Sequence, residues 1–409
     1  MSCKEWNKVK IEEVCSIKRG ASPRPIINYI SETGIPWVKI SDATSHDSRF
    51  IKKTGEFIIE EGKNKSRFIK SGTLILSNSA TPGIPKIMGI DACVHDGWLI
   101  IDNFKNISKE FMYYLFINER ERLLSLSNGS VFRNLKTDIV KNYEVMLPEK
   151  EEQNRIVNVL LSLDNKIELN NKMNKTLEEM AQALFKRWFV DFEFPNEEGK
   201  PYKSSGGEMV ESELGVIPKG WNVNNLKDIS TITMGVSPSS NSYNDDKVGL
   251  PLLNGAADFE GKLIKPSKYT SEPKKVCKCG DMIFGVRATI GNTVFADKEY
   301  ALGRGVASVS PKNYIFREFI YFCLNSSMNK LINSASGSVF LNLKKADITD
   351  LKLCYSEVVI NKFNKIAKEL INKVIENDIE SEILKQQRDS LLPKLMNGEI
   401  RVDNVETDI

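Results

Sequence analysis

Histidine is almost missing from this chain: there are two in 409 residues, His46 and His95. Neither stands in a nucleophile-bearing context, so acid–base or triad chemistry has little to work with. The seven cysteines are scattered without framework spacing, as expected of reduced thiols in a cytosol. The nearest approaches to metal-ligand spacing, Cys93-Val94-His95 and Cys277-Lys278-Cys279, lack a second ligand pair, and no metal is expected. No apolar run approaches the ~18 residues needed to span a bilayer. The opening MSCKEWNKVKIEEV carries no signal-peptide core. A soluble, cytoplasmic protein without a membrane partner is expected. There is no Gly-x-x-x-x-Gly-Lys-Ser/Thr phosphate loop, no Asn-Pro-Pro-aromatic run and no Gly-x-Gly-x-x-Gly opening a βα unit. A self-contained catalyst, or a cofactor held by this chain, therefore finds no support.

What is present is a charge pattern. The overall net charge of +3 conceals +5 over residues 1–147, −5 over 148–215, +6 over 216–356 and −3 over 357–409. Two basic blocks alternating with two acidic ones suggest two surfaces for a polyanion, separated by segments with other work.

The blocks coincide with an internal repeat. Trp6, Ile11, Val14, Gly20, Ser22 and Pro23 return as Trp221, Leu226, Ile229, Gly235, Ser237 and Pro238, at a constant offset of 215. Further on, GTLILSNSATPG (72–83) matches GDMIFGVRATIG (280–291), and GSVFRNLK (129–136) matches GSVFLNLK (337–344), both at an offset of 208. Each copy reads as mixed structure. Short β-rich runs bounded by Gly and Pro are followed by helical stretches around 109–126 and 316–332.

A different pattern follows each copy. Positions 156, 160, 163, 167, 170, 174, 177, 181, 184 and 188 alternate steps of four and three and are mostly apolar, a heptad seam. The seam recurs 207 residues later, from Phe363 to Leu395, weaker at Arg388, and Pro393 predicts the helix end just before it. Both seams are polar at their centres, Asn170 and Asn174 in one, Asn377 and Ser381 in the other. Antiparallel packing would set these centres opposite one another and fix the register. The expected fold is therefore α+β: two similar α/β domains and two long antiparallel coiled-coil helices with a pseudo-twofold repeat. The expected boundaries are 1–147 and 219–356 for the domains, and 148–191 and 357–392 for the helices. Residues 192–218 read as an exposed connector and 393–409 as a tail.

This organisation resembles the specificity subunits of type I restriction-modification systems. The local phrases agree: Glu151-Glu152-Gln153 at the first helix entry, LFKRWFVDFEFP (184–195), LGVIPKGW (214–221) and LLPKLMNGEI (391–400). The second helix departs, with Val359-Ile360-Asn361 in place of the Glu-Gln entry. The resemblance implies a non-catalytic reader of double-stranded DNA whose copies are two target-recognition domains, addressing a bipartite, asymmetric target. It also implies two methyltransferase subunits docked on the helices, restriction subunits in the full complex, and S-adenosylmethionine and ATP-Mg held by those partners. Physically, a seam from Ile156 to Trp188 would span about 48 Å at ~1.5 Å per residue. That suits half-sites roughly 34–36 Å apart. The competing reading is an oligomeric scaffold whose repeats bind protein.

Base-reading candidates are polar or guanidinium side chains where the copies diverge. Ser77, Asn78 and Ser79 stand where the second copy has Gly285, Val286 and Arg287. Arg287 suits a bidentate guanine contact or a phosphate; Asn78 suits adenine or the satisfaction of a turn. Lys18, Arg19, Arg24, Lys39, Arg304, Lys344 and Lys345 are phosphate candidates. Ser22, Ser237, Ser239, Asn254, Thr289, Arg133 and Lys136 complete the DNA-binding set. Trp6 and Trp221 read as core anchors. Phe185, Trp188 and Phe189 read equally as a partner interface or as core.

Overall fold

Two patterns of apolar residues build this chain, short fully buried strands and two heptad helices. A computed structural model describes residues 6–44, 48–126, 134–287, 290–334 and 342–402. The chain divides into two units, Met1–Glu168 with Ile383–Ile409, and Leu169–Glu382. Both boundaries fall inside long helices, so each unit owns one domain and a stretch of both helices.

In the first unit one five-stranded sheet runs in the order Ser16–Arg19, Trp98–Asp102, Leu74–Ser77, Pro85–Met88, Phe50–Ile51. Leu74–Ser77 is buried at every position, which is why it reads as a continuous run rather than an alternation. A second five-stranded sheet contains Ile35–Val38 and Ala92–Val94 as a parallel pair. The second unit repeats this. Ser230–Met234, Val306–Pro311, Met282–Gly285 and Thr293–Phe295 form one sheet, and Leu250–Leu253 lies parallel to Tyr300–Leu302 in the other. The expected α+β class and duplication are what the chain shows.

The central helix is Lys150–Phe185 and the C-terminal helix Glu357–Met396. None of the seam positions is exposed. In the first unit Ile156 and Leu160 share a core with Leu392, Leu395, Phe111 and Tyr114. Arg388, the weak seam place, is ion-paired at 2.8 Å with buried Asp164, whose other oxygen accepts from the Tyr114 hydroxyl at 2.6 Å. In the second unit the polar centre is closed. The Asn170 amide donates to the Asn377 carbonyl (3.3 Å) and to the Ser381 hydroxyl (3.2 Å), and the Asn377 amide donates to Asn174 Oδ1 (2.8 Å). Contacts of 170 with 381 and of Phe185 with Phe363 make the two segments antiparallel.

Two expectations are corrected and one open alternative is decided. The C-terminal helix does not stop before Pro393 but runs through it to Met396. Pro393 is exposed and lacks only the N–H that would bond the carbonyl four residues back, while Leu392, Leu395 and Met396 are buried and hold the last turn. Residues 192–218 are not a bare connector. Phe194 is buried, stacks on Tyr202 with centroids 4.6 Å apart and meets Trp221 at 5.2 Å, and Met209–Ser212 pairs with Gly215–Pro218 as a hairpin. Of the two readings open for Phe185, Trp188 and Phe189, the structure shows the core: they are 3%, 7% and 6% exposed and pack against Phe319, Phe322 and Phe363. The helix widens to a π-turn over Lys186–Val190, closed by the Asp191 N–H on the Lys186 carbonyl (2.9 Å).

Trp6 and Trp221 are half-buried against their units' cores. The missing Glu-Gln entry also finds its reason. Gln153 is 1% exposed and its amide donates to the carbonyls of Asn106 (2.9 Å) and Pro148 (3.0 Å), tying the helix start to its own domain. At the offset of 207 the second copy places Ile360, fully buried, and fills the place with packing instead.

Candidate nucleic-acid interface

Four backbone segments meet in the first unit. Strand Ser16–Arg19 runs into Gly20, whose N–H donates to the Trp98 carbonyl (2.8 Å), and Ala21 donates to Val94 (3.1 Å). A Cβ on Gly20 would lie 2.2 Å from the His95 carbonyl oxygen, so only glycine lets the strand end press on the 95–97 turn. The Asn78 N–H donates to the Gly97 carbonyl (2.8 Å) and the Leu135 N–H to the Asn78 carbonyl (2.8 Å).

The second unit makes the same bonds with different residues. Gly235 donates to Val306 (3.0 Å), Val236 to Leu302 (2.9 Å), Val286 to Gly305 (2.9 Å) and Leu343 to Val286 (3.1 Å). A Cβ on Gly235 would meet the Gly303 carbonyl at 2.1 Å. Each of these bonds is its counterpart moved by 215 before the turn and by 208 after it. We call this shared arrangement the cradle. It is made by main-chain groups, so the side chains on it are free to differ.

In the first unit they converge on Asp96. Its carboxylate accepts from the Ser22 hydroxyl (2.6 Å), while Arg19 and Arg24 stand 3.7 and 3.6 Å away. Arg19 Nε also donates to the Asp96 carbonyl (2.8 Å). Burial works against the charged form of Asp96, but the Ser22 hydroxyl, His95 and Arg19 outweigh it and hold the carboxyl below its usual range. His95 Nδ1 accepts from the Gly97 N–H (2.8 Å), which leaves the proton on Nε2, 3.1 Å from Asp96. Burial pushes the His95 pKa down, so the ring is neutral near pH 7.

In the second unit the exposed Arg287 donates from Nε to Asn342 Oδ1 (3.2 Å), and the Ser237 hydroxyl faces the Arg304 N–H at 3.5 Å. The Arg304 side chain is exposed and has no acidic partner among the described residues. Exposed guanidinium groups on a rigid main-chain frame suit bidentate reading of guanine or clamping of phosphate.

The other candidates distribute unevenly. Ser77 is fully buried, its hydroxyl donating to Thr81 (2.6 Å) and accepting from Ile84 (2.8 Å). Its hydroxyl is spent on the turn, so the structure does not present it as a base contact, against the expectation. Asn78 is 6% exposed; its main chain builds the cradle and its side-chain oxygen has no partner among the described residues. Ser79 lies beside Gly97 in the cradle, as its hydroxyl is the nearest atom a Gly97 Cβ would meet. Asn254 lies against Gly303 and Gly305. Lys18 pairs with Asp102 (3.3 Å) and Lys39 with Glu56 (2.5 Å). Ser239, Lys136, Lys344 and Lys345 are exposed, the last beginning the short helix Lys345–Thr349. Arg133, Thr289 and the Gly-Ser-Val-Phe runs lie outside the described residues. Sequence reading missed Asp96 and Asn342. The signal was available: the offset of 208 sets Asp96 on Arg304.

One further surface was not foreseen. Leu169, Met173 and Met180 are 50%, 37% and 54% exposed, and their spacing puts them on one outward face of the central helix within the second unit.

Comparison with known proteins adds to this geometry. The family model for the type I restriction modification DNA specificity domain matches residues 3–179 and again 218–386. The type I restriction enzyme MjaIX specificity subunit of Methanocaldococcus jannaschii is 28% identical, over 98% of this chain and 95% of its own. The HindI specificity subunit of Haemophilus influenzae is 26% identical, over 81% and 87%. A crystal structure of a type I restriction-modification system S subunit from M. genitalium superposes with a TM-score of 0.57 at 16% identity, covering 97% of both chains, a likeness of fold.

Proposed function

The chain belongs to the type I restriction-modification DNA specificity family, and from that premise we propose that it reads a bipartite, asymmetric DNA target, one half-site per unit, and catalyses nothing itself. The observation that carries this is the cradle. The same main-chain bonds occur in both units and present different polar side chains, so one mode of docking meets two different sequences. The exposed Arg19, Arg24, Arg287 and Arg304 supply charge for phosphates and forks for guanine. Methyltransferase subunits dock on the long helices, with Leu169, Met173 and Met180 as apolar contacts, and bring S-adenosylmethionine; restriction subunits bring ATP-Mg.

The experiment is co-expression with methyltransferase subunits in a methylation-free host, followed by single-molecule mapping of methylated adenines. The expected result is one split motif with two unlike halves around unread base pairs. A continuous motif, or methyl transfer by the purified chain alone with S-adenosylmethionine, overturns the reading.

A further inference from the structure

The two cradles carry their guanidinium groups on different segments. In the first unit the entering strand end bears Arg19 and the loop after it Arg24, and the facing turn bears Asp96. At the equivalent places the second unit has Met234 and Ser239 on the loop and Arg304 on the turn, with Arg287 where the first unit has Ser79. The serine on the loop stays the same: Ser22 faces the Asp96 N–H at 3.4 Å and Ser237 the Arg304 N–H at 3.5 Å.

The geometry points to a transposed guanidinium source as the origin of the asymmetry between half-sites, with Asp96 a positioning residue that sets Arg19 and Arg24 for base contact. The inference rests on the DNA-reading role proposed above. A bare carboxylate would repel phosphate, but this one is 27% exposed and already engaged by a hydroxyl and two guanidinium groups that are 59% and 81% exposed. It therefore acts through its neighbours, restraining two long side chains that otherwise lose much conformational freedom on binding. In the second unit no such restraint is needed on the loop, because the cation sits on the turn itself. Moving the fork from loop to turn moves the base pair it can reach, so the two halves differ in where guanine is required as well as in sequence.

The test uses the full chain co-expressed with methyltransferase subunits and reads the methylated motif. Wild type must first give a split motif; a continuous one overturns the reading role and this inference with it. Given a split motif, Asp96→Asn, which keeps an acceptor for Ser22 but removes the charge, is expected to relax one or two base pairs of one half by about ten- to a hundredfold. The other half and the spacing stay unchanged. Arg304→Asp is expected to relax the opposite half. Asp96→Arg combined with Arg19→Met and Arg24→Ser should shift the position of required guanine within the first half. Unchanged base preference in both Asp96 variants, or equal weakening on every sequence, overturns the inference and leaves the reading role standing.

Discussion

Asn170 and Asn377 stand at the same place in the two repeats, 207 residues apart, and they touch: the Asn170 amide donates to the Asn377 main-chain carbonyl at 3.3 Å. A residue that meets its own counterpart makes the helix pair of this unit self-complementary at that point. Both side chains are essentially buried, so a slipped pairing would set these amides against Val374 or Ala181 with nothing to bond.

Asn170 Oδ1 is buried with no partner among the described residues. Asn170→Leu removes that oxygen but also the amide that donates to the Asn377 carbonyl and the Ser381 hydroxyl, so the two terms offset and stability in urea unfolding is expected to change by less than about 1 kcal/mol. The same variant should loosen register, seen as altered association in sedimentation. A large change in stability with unchanged association would contradict both halves of the argument.

Arg388→Leu restores an apolar residue to the seam and should nevertheless destabilise. It leaves Asp164, 6% exposed, without its cation, a loss of about 3 kcal/mol. Adding Asp164→Leu should recover most of that, less the cost of the Tyr114 hydroxyl left without its acceptor. A single variant as stable as wild type would show that the pair contributes nothing.

His95 gives the first unit a pH dependence of defined sign. Its folded pKa lies below the unfolded value near 6.5, because burial disfavours the charged ring. Above pH 6.5 both states are neutral and stability is complete. As pH falls through 6.5 towards the folded pKa, the unfolded state takes up the proton first and stability declines. His95→Asn should flatten the urea midpoint between pH 7 and 5.5 relative to wild type; parallel curves would refute this.

Burial pushes the thiols of Cys15 and Cys277 up to about 12 and that of Cys354 to about 11, whereas Cys279 is exposed. In a Cys3→Ser background, native protein at pH 8 should label quickly at Cys279 alone, and the other thiols only after unfolding. Rapid native labelling of Cys15 in peptide mapping would argue against its burial.

Much of this was legible in the sequence because it rests on periodicity. Constant offsets exposed the duplication, and steps of four and three exposed the helices, down to the polar centre at Asn170 and Asn377. What escaped depends on direction or distance. Heptad spacing could not say that Phe185 and, within the π-turn that follows it, Trp188 and Phe189 turn into the second unit's core. The small and polar residues of 192–218 hid Phe194, whose partners Tyr202 and Trp221 lie well along the chain. Strand alternation could not tell that Ser77 faces inward. Asp96 meets Ser22 across 74 residues, so no local pattern marks the pair.

Because the cradle is tied by amide and carbonyl groups and asks for glycine only at the strand ends, Gly20 and Gly235, its energetic cost to the fold depends little on which side chains it displays elsewhere. On the reading role proposed for it, new specificities are open to this surface one displayed side chain at a time, without first passing through an unstable protein.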